Sequence, residues 1–193
     1  MANAPKKRHA TYADVEALPP NVVGEIVDGD LFVMPRPRPK HANAQGALIR
    51  RIGGPFQDGL DGPGGWWILP EPELHLVPDE PVVPDVGGWR WSRMPTLPDA
   101  AKIALPPDWL CEVLSDSTEV HDRRDKMPLY ARHGVRHVWL IDPIERYLEA
   151  FWNDAGAFRP VGKGKWRRDE RVRAAPFEDV EIDLATLWGE PRR

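Results

Sequence analysis

Short apolar stretches of two different periods alternate along this chain. VVGEIVDGDLFVM (22–34) is rich in β-branched and aromatic residues on both sides of Asp28-Gly29, and predicts a hairpin with a tight turn. KHANAQGALIRRI (40–52) places Ala44, Ala47, Leu48 and Ile52 on one stripe, the spacing of a helix. WWILP, ELHLV and PVVPDV follow as three strand candidates. WLCEVL (109–114) and HVWLID (137–142) are almost continuously apolar, as in strands buried on both faces. Between them, SDST offers helix caps, and EVHDRRDKMPLYARHG spaces its apolar residues for a helix that Gly134 can close. The 22 residues from 115 to 136 suit a right-handed crossover, which makes the two flanking strands parallel. Pro128 either kinks that helix or starts its main part. A short helix capped by Thr11 and ending at Pro19-Pro20 precedes the hairpin, while YLEAFWN, AFRPV and VEIDLATLW close the chain. The expected class is α/β with a mixed sheet. Residues 1–10 are expected to be a flexible tail, and 11–193 a single domain.

Prolines (22) and glycines (16) concentrate at 35–39, 53–65, 78–88 and 95–107, which are expected to be loops. The single cysteine, Cys111, excludes an internal disulfide and a cysteine-based zinc cluster, and reads as a buried inert thiol. No apolar run reaches the roughly 20 residues of a membrane helix, and MANAPKKRHA lacks the apolar core of a signal peptide, so a cytoplasmic protein is expected. Net charge is −4, so nucleic-acid binding would need a local basic patch. The candidates are Lys6-Lys7-Arg8, Arg36/Arg38/Lys40, Arg50-Arg51 and Lys163/Lys165/Arg167/Arg168, each of which also reads as ordinary solvated surface. Nine tryptophans belong mainly to the core, with an exposed aromatic surface or dimer interface as the other reading.

Carboxylates inside apolar segments are costly unless paired or bridged by a cation. Asp85 follows VVP and Glu112 sits between WLC and VL, so a metal site built at strand ends is the economical explanation, and it points to phosphodiester chemistry. The Val113 carbonyl could add an oxygen ligand. Lys126 could polarise water or steady developing charge. Asp122, Lys126 and Tyr130 are spaced to share one helix face. Each residue has a plainer reading. Asp85 could be a turn residue, Glu112 half of a structural salt bridge, Asp122–Lys126 an exposed ion pair, and Glu25 an exposed group on an edge strand. His41 could bind phosphate or metal, or neither. Asp142 before Pro143 reads as a strand-ending turn.

The ordered set GEIVDGDLFVMP, Lys40-His41, VVPDV, PPDWLCEVLSDST, DRRDKMPLYARHGV and HVWLIDP resembles the Uma-type putative restriction endonuclease family of the PD-(D/E)XK nuclease superfamily. The likeness spans about residues 12 to 153 and most of the tail. It implies a restriction-endonuclease-like core, with a central mixed sheet flanked by helices, and magnesium-dependent nuclease chemistry with manganese as a substitute. Asp85 and Glu112 match the motif acids, and Glu25 the acidic residue near the family's N-terminus. The superfamily lysine two residues after the glutamate is replaced here by Leu114, and Lys126 on the next helix matches its displaced position. Asp122 and Tyr130 match as supporting residues. DNA is the implied substrate, and a C2 dimer follows by analogy with enzymes that cut both strands. The alternative from another class is a non-catalytic nucleic-acid-binding or protein-interaction module. A small-phosphate-ester hydrolase is a third reading, although the glycines at 53–65 lack phosphate-loop spacing.

Overall fold

The computed structural model describes residues 9–190. Most of the expected tail, with Lys6-Lys7-Arg8, lies outside the described residues. Helix α1 (Tyr12–Glu16) is capped by Thr11, whose N–H donates to Asp14 Oδ2 at 2.8 Å. Strands β1 (Val22–Val27) and β2 (Asp30–Pro35) form the expected hairpin. Asp28 and Gly29 turn it with φ of 51° and 80°, values a glycine adopts without steric cost.

Helix α2 spans Pro39–Phe56 and starts on a proline, which has no N–H to leave unpaired. It therefore runs through Gly53-Gly54-Pro55, part of the expected 53–65 loop. Pro55 lies within the last turn, and Phe56 is buried against the sheet, so packing outweighs weak local propensity. Strands β3 (Trp66–Pro70), β4 (Glu73–Val77), β5 (Glu80–Val82) and β6 (Val86–Arg90) follow. The expected strand PVVPDV is thus two strands separated by Val83–Asp85. Pro84 cannot donate to a ladder, and the chain crosses here from one sheet to another. Strand β6, VGGWR, also departs from expectation: it overlaps the expected 78–88 loop and is an inner strand, paired along its length with β3 and over Val86–Gly88 with β8. Its glycines hid it from propensity, yet added Cβ atoms at Gly87 and Gly88 would press on Trp89 and Trp109.

After β7 (Lys102–Ile103) and β8 (Trp109–Val113), the crossover comprises α3 (Glu119–His121), a π turn (Asp122–Lys126) and α4 (Met127–Arg132). It leads to β9 (His137–Asp142), which pairs parallel to β8 as expected. The Asp142 side chain ends β9 by accepting the N–H groups of Ile144 and Glu145. Strands β10 (Tyr147–Asp154) and β11 (Ala157–Arg167) extend the sheet, β11 running six residues beyond AFRPV. A small pair, β12 (Arg171–Val172) and β13 (Ile182–Asp183), precedes a 3-10 turn at Leu184–Thr186. The main sheet has the order β11-β10-β9-β8-β6-β3 and is mixed. A three-stranded sheet, β5-β4-β7, carries the segment that delivers Asp85.

Successive residues of β8 and β9 divide between two core clusters. Trp109, Cys111, Val113, Trp139 and Ile141 pack with α2 and the C-terminal segment. Leu110, Leu114, Val138 and Leu140 pack with Leu129 and Tyr130 of α4. Glu112 shares strand parity with Leu110 and Leu114, so it faces the crossover helices. Phe177 anchors the first cluster, with ring centroids 4.6 Å from Phe56, 4.9 Å from Trp66, 5.0 Å from Trp109 and 5.6 Å from Trp139. Phe177→Ala should cost about 3–5 kcal/mol in urea unfolding followed by tryptophan fluorescence. A loss under about 1 kcal/mol would mean that the C-terminal segment lies outside the cooperative core.

Candidate functional site

The carboxylates singled out in the sequence converge on one cavity of about 310 Å³. Its floor is built around Lys126, which is 3% exposed rather than on the surface. Nζ lies 2.9 Å from Glu25 Oε1, 2.9 Å from Glu112 Oε1 and 3.6 Å from Asp122 Oδ1. Asp122–Lys126 is therefore a buried pair and not an exposed one. Glu25 is also fully buried, contrary to an edge-strand reading, and its Oε1 accepts the Val83 N–H at 2.6 Å. Tyr130 donates its hydroxyl to Glu112 Oε1 at 2.6 Å. Asp122, Lys126 and Tyr130 share a face although the turn joining them is wider than an α-helix. The Met127 N–H reaches back to the Asp122 carbonyl, five residues away. Pro128 accounts for the widening: it lacks an N–H, and its ring would crowd the carbonyl four residues earlier. It also stands in the first turn of α4, in line with the reading that it starts the main part of the helix.

Asp85 forms the wall beside this floor. Oδ2 accepts the Val113 N–H at 2.7 Å, which continues the β6–β8 ladder with a side chain. Oδ1 lies 2.6 Å from His41 Nε2, and Gln45, one turn along α2, donates Nε2 to the Asp85 carbonyl at 2.8 Å. The first turns of α2 thus hold both the carboxylate and the backbone of Asp85. His41 is at the site, bonded to an acid.

Electrostatics explain which proton goes where. Burial pulls the Lys126 pKa down, but Glu112 and Glu25 more than reverse this and hold it well above the usual lysine value. Burial pushes Glu112 well above the usual carboxylate range; Lys126 opposes this, while Asp122, Asp85 and Glu25 reinforce it. Burial also raises Asp122. Glu25 moves the other way, because Lys126, His121 and the Val83 N–H outweigh its burial. His41 is raised because Asp85 outweighs its burial.

Gln45 and His121 escaped the sequence reading. His121 Nε2 is 3.2 Å from Glu25 Oε2, its Nδ1 is 3.1 Å from Asp125 Oδ2, and its ring stacks on Phe32 with centroids 3.9 Å apart. Its position one residue before Asp122 was the only signal, and a histidine in a polar helical segment is weak evidence. Gln45 lay in the apolar stripe of α2, where a lone amide needs a buried partner.

The donors that could hold a metal are hard oxygens: Asp85, Glu112 and the Val113 carbonyl, all lining the cavity. Among the described residues no three His, Cys, Asp or Glu groups converge as a ready-made cage. Magnesium suits such a set, since it commonly takes one or two carboxylates and keeps several waters. Glu25, Glu112 and Asp122 share the single ammonium of Lys126, so a cation beside Glu112 would offset the mutual repulsion that raises its pKa.

Residues 10–185 match the family described as "Uma2: Putative restriction endonuclease". Among solved structures, the fold is similar to "a putative nuclease belonging to DUF820" from Anabaena variabilis. The two are 22% identical, over 93% of this chain and 97% of that chain, with a TM-score of 0.70. At that identity the likeness is one of fold. No curated protein matches the chain. Among the described residues no helix is long and apolar enough to cross a membrane.

His121 generates a pH prediction. Burial lowers its pKa, but Glu25 and Asp125 outweigh that and raise it above the usual histidine value. Its contribution to stability is thus complete below about pH 6.5 and is lost as pH rises through the higher folded-state value. The urea midpoint of the parent should fall across that window, and His121→Asn should flatten the change. Identical pH profiles for the two would mean that His121 stays neutral when folded.

Proposed function

The chain belongs to the Uma2 putative restriction endonuclease family, and on that premise we propose that it is a metal-dependent endonuclease hydrolysing phosphodiester bonds of DNA. One observation carries the reading. Leu114 stands where a strand lysine would be, and Lys126 from the crossover reaches the same carboxylate, 2.9 Å from Glu112. Asp85, Glu112 and the Val113 carbonyl would hold Mg²⁺, with Mn²⁺ as a substitute. A hard dication bound there supplies Lewis-acid charge beside the scissile phosphate. Lys126 stays protonated because its pKa is raised, so it serves as a fixed positive charge for the oxyanion that develops on phosphorus and not as a base. Glu25 completes the acidic cluster and, with Tyr130 and Asp122, fixes the ammonium and Glu112. His41 and Gln45 orient Asp85.

A second reading rests on the same ion cluster. Lys126 already neutralises much of the floor, so a non-catalytic nucleic-acid-binding or protein-interaction module could keep this arrangement without metal. Supercoiled-plasmid cleavage by metal-stripped protein separates the two. The endonuclease nicks or linearises plasmid only with added Mg²⁺ or Mn²⁺, and Glu112→Gln abolishes the reaction. Lys126→Met lowers turnover by about 10²–10³, as loss of a charge-stabilising donor does, while retaining metal binding. Neither cleavage nor calorimetric metal binding would favour the module.

Metal binding should also depend on pH. Burial raises the Glu112 pKa and a bound cation would lower it, so metal affinity should increase as pH rises. Calorimetry over a pH series should show tighter binding toward higher pH, and a pH-independent affinity would mean that Glu112 does not hold the metal.

A further inference from the structure

A nucleic acid must bring phosphates to a cavity whose floor holds more carboxylates than cations, in a chain of net charge −4. The arginines and lysines lining that cavity are Lys126, Arg36 and Arg38. Lys126 is buried and paired with Glu25 and Glu112, so it serves the scissile phosphate alone and not its neighbours. The other described basic groups lie elsewhere or are paired: Lys163 with Glu170, Lys165 with Glu149, and Arg51 Nε with Thr186.

Resting on the nuclease reading above, we propose that Arg36 and Arg38 form a clamp for neighbouring phosphates of the nucleic-acid strand that enters the site. Arg36 donates Nη2 to the Pro20 carbonyl at 3.1 Å, which fixes its guanidinium against the hairpin and leaves further N–H groups for an anion. Arg38 is exposed; its carbonyl accepts the Ala42 N–H at 3.0 Å, while its guanidinium makes no hydrogen bond or ion pair among the described residues. Pro35, Pro37 and Pro39 alternate with the two arginines and restrict the backbone before any ligand arrives. Arg38 has φ −74° and ψ 160°, the extended conformation of proline-rich chain. At a rise of about 3.1 Å per residue, the two arginine positions stand roughly 6 Å apart, a separation suited to successive charges on one strand.

Ser115, Ser117 and Thr118 line the same cavity with Asp116, and Glu71 borders it as well. Those carboxylates repel an anion, so an entering strand depends on the arginines for its phosphate contacts. Phosphate contacts carry no base information, so the clamp strengthens binding equally for every sequence.

The test uses Glu112→Gln protein, which removes cutting, and fluorescence anisotropy with fluorescein-labelled oligonucleotides of two unrelated sequences over a series of salt concentrations. Arg36→Gln and Arg38→Gln should each reduce the slope of log affinity against log salt by about 0.9 on duplex and about 0.7 on single strands. The decrease should be the same for both sequences, and Arg50→Gln, on α2 but outside the cavity lining, should leave the slope unchanged. Arg38→Gln carries the test if Arg36→Gln weakens the hairpin. If the background protein binds and the double variant keeps its slope, the clamp is wrong and the nuclease reading stands. If the background protein binds neither oligonucleotide at low salt, both fail.

Discussion

A single buried ammonium constrains the centre of this molecule. Lys126 sits within ion-pairing distance of Glu25, Glu112 and Asp122, contributed by the hairpin, the sheet interior and the crossover. Burying any of these charges alone would cost several kcal/mol, so the three elements must arrive together for each to be tolerated. The lysine thereby ties the N-terminal hairpin to the parallel strand pair, and it also sets the protonation pattern. It draws Glu25 below its usual range, while one ammonium cannot do the same for Glu112, which burial and three other carboxylates push up.

The backbone around it is shaped to allow this. Pro84 ends one ladder and lets the chain change sheets, so Asp85 emerges beside β8, where its side chain takes the next hydrogen bond of the strand. Pro128 widens the crossover by a π turn, and the widened turn still leaves Asp122, Lys126 and Tyr130 buried on one side. Two prolines that look like interruptions in the sequence thus stand next to the groups that need unusual backbone paths. The arginines of PRPRP owe their presentation at the cavity mouth to the same residue type.

Much of this was legible from local pattern. The hairpin about Asp28-Gly29, the stripe of α2 and the two apolar strands flanking a helical crossover all follow from periodicity and turn chemistry. The misreadings were local as well. Gly87-Gly88 concealed an inner strand because glycine has low strand propensity, and the reason for glycine there is the tryptophans packed against it. Gly53-Gly54-Pro55 suggested a loop, whereas burial of Phe56 keeps the helix going. In both cases long-range packing outweighed a local preference worth about 1 kcal/mol.

The sequence by itself determined which groups could be chemical: acids set in apolar strands, a lysine displaced onto a helix, and the order of motifs that marks the family. Those are properties of residue type and spacing, which chain connectivity preserves. Only the tertiary structure decided that Glu25 is buried, that Lys126 pairs with Glu25 and Glu112 at once, that His41 and Gln45 grip Asp85, and that His121 stands behind Glu25. Each of these joins residues far apart along the chain, and the cost of burying an unpaired charge, which selects such partners, exists only once the sheets and helices have excluded water.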